Sequence, residues 1–272
     1  MRISSNQLSR WAVLARVAIF FVGCVAMLII AAPVARLLPN VPFPISIGLA
    51  TSVGALLLTH LFVRWDGVSP FDVGAAPDRY SLNRLATGFV VGLLLVAINT
   101  FAMWCTGHVT WVLTQAPILP GASVTLVAFL LLASREELAF HGYPLRRLET
   151  FYGVWVSQGA VALIFALEHV AGGSSWTAAV FGSGVGSLLF GMAAIASRGL
   201  AVPIGIHAAW NFGDWLRGGK DSAGVWEAVV DDGFRANVEL AGMVSYVVVF
   251  MLATLAFWRW HCLKLRFSGF HN

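Results

Sequence analysis

Eight stretches of this chain stay apolar for the length of a bilayer crossing, and that recurrence limits the fold more than any single motif. A helix rises about 1.5 Å per residue, so a hydrocarbon core about 30 Å thick asks for about 20 apolar residues. The windows that reach or approach this are 17–35, 45–63, 86–104, 122–145, 153–171, 176–197, 200–216 and 241–258. Hydrophobic residues make up 58% of the 272 and charged residues 11%, where a soluble domain carries about 25% charge. Mean hydropathy is +0.80. A water-soluble globule and a disordered chain are both excluded. Cys24, Cys105 and Cys262 lie in no motif, and three scattered cysteines make no disulfide framework. The expectation is an all-α, polytopic membrane helix bundle of about eight transmembrane helices, forming a single transmembrane domain over residues 1–272. The first apolar block follows a basic start, but no small-x-small cleavage site follows it, so it reads as a retained helix.

The net charge of +4 comes from 15 Arg and 2 Lys against 13 acids. These cations are spread thinly between apolar blocks, which speaks for membrane topology and a lipid partner rather than nucleic acid. With the N-terminus in the cytoplasm, twelve of them fall on the inside: Arg2, Arg10, Arg16, Arg64, Arg79, Arg84, Arg146, Arg147, Arg198, Arg259, Lys264 and Arg266. Four fall outside, Arg36, Arg217, Lys220 and Arg235, and Arg135 stays within the membrane. Both termini are therefore expected in the cytoplasm. In the sixth window Gly182 and Gly186 have the small-x-x-x-small spacing that lets helices approach, beside Ser183 and Ser187. Pro203 suggests a kink in the seventh.

Ionisable groups in hydrocarbon are costly, so each is a functional candidate. They fall into three sets: Arg135-Glu136-Glu137 with His141 and Gly142-Tyr143 in the fourth window; Phe165, Glu168 and His169 in the fifth; His207 and Asn211 in the seventh. Glu136 lies fifteen residues before Phe151 and His169 eighteen after it, so an antiparallel pair puts both about 22 to 27 Å from that turn. His207 and Asn211, at i and i+4, share one helical face. Each set has an ordinary structural account: Glu136 paired with Arg135, a histidine on a backbone carbonyl, Asn211 joining two helices. Three sets converging on one depth favour chemistry. A desolvated Glu136 or Glu137 is a base able to take a proton from water held by a histidine, while His207 and Asn211 offer two donors to an oxyanion. A zinc ion on His169, His207 and a glutamate would serve the same hydrolysis. No His-Glu-x-x-His helix, Gly-x-Ser-x-Gly elbow or rhomboid-like Gly-x-Ser-Gly is present. A proton-coupled carrier would predict inverted repeats or paired broken helices, and the sequence has neither.

Three motifs in order resemble the CPBP family, which comprises CAAX prenyl proteases and bacteriocin-processing or self-immunity membrane proteins. Glu136-Glu137-Leu-Ala-Phe-His141 is similar to the family's Glu-Glu-x-x-x-Arg, Phe165 to His169 to its Phe-x-x-x-His, and His207 to Asn211 to its His-x-x-x-Asn. The resemblance covers about residues 122–215. It implies an eight-helix intramembrane endopeptidase acting on a membrane-associated or lipidated peptide or protein. Glu136 would be the base, His169 would hold the water, His207 and Asn211 would form the oxyanion site, and Glu137 would be a second carboxylate, with Phe165 and His141 in support. No cofactor is favoured; the zinc alternative would use Glu136, His169 and His207. His141 departs from the motif arginine, yet from Glu137 it is i+4 and within hydrogen-bonding reach. That departure leaves open a catalytically silent relative acting as a membrane scaffold or immunity protein. The Arg-rich, Lys-poor usage points to a bacterial inner membrane.

Overall fold

The computed structural model describes residues 9–38, 40–114, 118–220 and 224–268. Its helices follow the apolar windows: α1 (Arg10–Ala35), α2 (Phe43–Asp66), α3 (Ser81–Trp104), α4 (Ile118–Glu136), α5 (Tyr143–Tyr152), α6 (Val154–Ala171), α7 (Val185–Ser197), α8 (Ala201–Leu216) and α9 (Arg235–Ser268). A wide π-helical turn, Glu137–Gly142, joins α4 to α5 without a break, and a second, Ala178–Gly184, leads into α7. Among the described residues there are thus eight continuous rods. Six of the helices are long and apolar enough to cross a membrane, and the chain is an integral multi-pass membrane protein. Ile19, Val22, Val25, Ile29 and Ile30 of α1 stand exposed, as a lipid-facing helix requires and an aqueous surface would not tolerate.

The core gathers on α7, whose Leu189–Ser197 stretch is buried throughout, against α6, α8 and α9. The closest backbone approach in the bundle joins α3 to α8. A Cβ added at Gly88 or Gly92 would run into the Val202 and Ile206 carbonyls, and one at Gly205 into the Leu85 carbonyl. Gly88-x-x-x-Gly92 is thus the small-residue pair that seats the helix carrying His207 and Asn211. The Gly182 and Gly186 pair, expected to let helices approach closely, divides its roles. Gly186 packs on Tyr246 and Phe190, whereas Gly182 faces open space and lends its carbonyl to the Tyr246 hydroxyl at 2.8 Å. Pro203 produces no kink, because α8 begins at Ala201 and its first turn needs no N–H from that residue.

One element lay outside the helical expectation. Strands β1 (Val109–Leu113) and β2 (Trp226–Val230) pair antiparallel, Val109 opposite Val230 and Leu113 opposite Trp226. This ribbon closes the end of the bundle where α3 finishes and α9 begins. At the other end, Arg16, Arg147 and the Tyr143 hydroxyl converge on the buried Asp66.

Candidate active site

The fourth rod changes pitch where its acids lie. Pro144 has no N–H to give the Phe140 carbonyl and its ring would crowd that oxygen in a regular helix. The turn just before it, Glu137–Gly142, is widened. π turns of this kind concentrate at functional sites, and here Glu136 is the last residue of regular helix and Glu137 the first of the wide turn.

Glu137 is fully enclosed. Its Oε2 accepts from His141 Nδ1 at 2.7 Å and its Oε1 from His207 Nδ1 at 2.9 Å. A carboxylate offers only acceptors, so both imidazoles donate through Nδ1. His141 Nε2 then accepts from the Ser187 hydroxyl at 3.0 Å. Glu137 therefore ties the wide turn to α8 directly and to α7 through His141, with both oxygens committed. The i+4 contact expected from His141 is present, made by a neutral-capable ring in place of a guanidinium fork.

Glu136 is differently placed. Its Oε1 accepts from Arg135 Nη2 at 2.6 Å, and its Oε2 lies 3.4 Å from His207 Nε2. Arg135 reaches across to α6 as well, donating from Nη1 to Glu168 Oε1 at 2.7 Å. His169 donates from Nδ1 to the Phe165 carbonyl at 2.8 Å, which in the neutral ring leaves Nε2 as an acceptor. The Phe165 ring lies 4.5 Å from that of His169, and 6.2 and 6.4 Å from those of His141 and His207; Phe190 stacks flat on His207 at 4.3 Å. The aromatic side chains hold the imidazoles in place.

A cavity of about 710 Å³ opens against this cluster, and Glu136, Phe165, His169, His207 and Asn211 all line it. The three sets separated in sequence thus meet around one space. Glu137 and His141 do not reach it; they stand behind His207. The sequence reading gave Ser187 no role beyond helix packing and missed Phe190 and the bridge from Arg135 to Glu168, since a lone serine or phenylalanine in an apolar helix carries no periodic signal and His141 meets Ser187 across 46 positions. Among the described residues, no group of three or more His, Cys, Asp or Glu side chains is arranged to hold a metal ion. Within the set a zinc ion would need, the Glu136 carboxylate is already engaged by Arg135.

Residues 118–213 match the model of a known family, described as type II CAAX prenyl endopeptidase Rce1-like. The match spans all three motifs and agrees with the CPBP resemblance they carry, and it supports a CAAX-type membrane protease. No curated protein matches the chain.

Proposed function

We propose that this chain, with its Rce1-like core at residues 118–213, is an intramembrane endopeptidase that hydrolyses a peptide bond with water activated by Glu136. The observation that carries this reading is the division of labour between two adjacent acids: Glu137 has both oxygens occupied and no access to space, while Glu136 faces the cavity. A general base must reach the proton it removes, and only one of the two acids can.

The roles follow from the geometry. Arg135 holds one Glu136 oxygen and leaves the other turned towards His207 and the cavity. His169, its Nδ1 fixed on a carbonyl, presents Nε2 to a water. Glu136 takes the proton of that water as its oxygen attacks the scissile carbonyl carbon. His207 and Asn211, one turn apart, donate to the developing oxyanion; preorganised donors of this kind are worth about 10²- to 10³-fold in rate each. To donate from Nε2 the His207 ring carries both protons, and Glu137 at its Nδ1 supplies the countercharge. When the tetrahedral intermediate collapses, the proton on Glu136 passes to the leaving nitrogen. No step of this scheme calls on a metal ion.

The substrate is a membrane-associated or lipidated polypeptide, and the setting a bacterial inner membrane. New protein termini in membranes expressing the wild type or Glu136→Gln test the reading without a guess at the substrate. Cleavages seen only with the wild type establish the protease. Identical termini, with both proteins folded and inserted, favour a noncatalytic membrane scaffold.

A further inference from the structure

The two ends of the bundle differ in charge, and the cavity opens at only one of them. One end gathers the N-terminus of α1, the turn from α2 to α3, the end of α5, the α7 to α8 turn and the end of α9. It is knitted by Asp66 with Arg16 and Arg147, by the Tyr152 hydroxyl on the Arg10 carbonyl, by Leu200 N on the Gly74 carbonyl and by Lys264 on the Ala196 carbonyl. Among the described residues it carries eleven Lys or Arg against four acids, Asp66, Asp72, Asp78 and Glu149.

The opposite end holds the ribbon, the end of α3 and the start of α9. Among the described residues it carries four cations, Arg36, Arg217, Lys220 and Arg235, against five acids, Asp214, Glu227, Asp231, Asp232 and Glu239. From Glu136 and His207 the cavity runs to this end and not to the basic one. Its wall continues through Met103 near the end of α3, Ser174 past the end of α6, Asp214 and Arg217 at the end of α8, and Glu239 in the first turns of α9.

Short loops rich in Lys and Arg stay in the cytoplasm. We infer that the cavity opens on the extracytoplasmic face, so that its substrate is an exported or membrane-anchored polypeptide whose scissile bond enters from that side, and not a prenylated tail presented in the cytoplasm. This rests on the peptidase reading of the same site for the word substrate, whereas the sidedness stands on charge and cavity direction alone. Between Glu136 and that mouth the wall includes Gly182 and Gly186, the apolar Phe129, Leu132 and Met243, and the polar Ser183, Asn211 and Tyr246.

Thiol accessibility decides it. In a chain with Cys24, Cys105 and Cys262 replaced by alanine, Asp232→Cys sits exposed beside the ribbon and Thr150→Cys exposed at the basic end. A membrane-impermeant maleimide applied to intact cells is expected to label Asp232→Cys and to label Thr150→Cys only after permeabilisation. The reverse pattern overturns the inference. Should the cysteine-free chain fail to fold, the wild type provides the same test: Cys105 is exposed at the cavity end and Cys262 half-buried at the basic end, and mass spectrometry reads which is modified first. The two ideas fail separately. Reversed labelling alongside wild-type-specific termini removes the sidedness and keeps the protease; expected labelling with identical termini does the opposite.

Discussion

Asp66 and Glu136 are both buried carboxylates with arginine partners, and only one of them lines the cavity. Asp66 accepts from Arg16, Arg147 and the Tyr143 hydroxyl, all of them donors, and does not line the cavity that Glu136 faces. Glu136 gives one oxygen to Arg135 and turns the other to His207 beside open space. Burial of a charge costs several kcal/mol in either place. What differs is saturation. A carboxylate whose lone pairs are all met by fixed donors holds helices together; one with a lone pair facing room for a water can do chemistry.

The sharpest way to break the comparison is to remove the charge at each. Glu136→Gln keeps the shape and is expected to lower cleavage by about 10²- to 10⁴-fold, the usual worth of a general base, with the thermal midpoint in detergent little changed. Asp66→Ala strands Arg16 and Arg147 and is expected to cost about 3 to 5 kcal/mol of stability, read by thermal unfolding, with cleavage per folded molecule preserved. If Asp66→Ala abolishes cleavage in folded protein, or Glu136→Gln unfolds it, the distinction between the two acids collapses.

Smaller effects sharpen it. Leucine at Gly88 would force α8 away from α3 and is expected to cost about 1 to 3 kcal/mol by overpacking, with activity falling further because His207 and Asn211 ride on that helix. His141→Arg restores the family's motif residue but fills a space closed by Glu137, Ser187 and Gly191. A loss of about 1 to 3 kcal/mol is expected, and a gain in stability would show the pocket to be looser than the geometry implies. Glu168→Gln, which leaves Arg135 on Glu136 alone, should move activity least; an effect as large as that of Glu136→Gln would place Glu168 among the reacting groups.

Much of this was legible in the sequence. Eight apolar windows gave the eight rods to within a few residues at most ends, and Glu136 and His169 could be placed at one depth from helix rise alone, since rise per residue is a local constant; His207 and Asn211 matched that depth only with the fourth helix extended past the bilayer at Arg146 and Arg147. The ribbon was not legible, because two five-residue strands 113 to 121 positions apart are defined by each other and not by any local period. Nor was the small-residue contact: Gly88 and Gly92 had the spacing as plainly as Gly182 and Gly186, and which pair faces another helix depends on rotation about the helix axis.

By itself, then, the sequence determined that the chain spans a membrane as helices and that its few ionisable groups converge in depth, because hydrocarbon admits only helices and closed barrels, unbroken apolar runs of this length fit the helix, and every intramembrane charge is conspicuous. Only the tertiary structure decided which of two neighbouring glutamates meets the cavity, which serine stands behind His141 and towards which end the cavity opens. Those depend on how helices are rotated and packed against one another, and adjacent residues in a helix point about 100° apart, so a shared motif sends Glu136 and Glu137 to different surroundings.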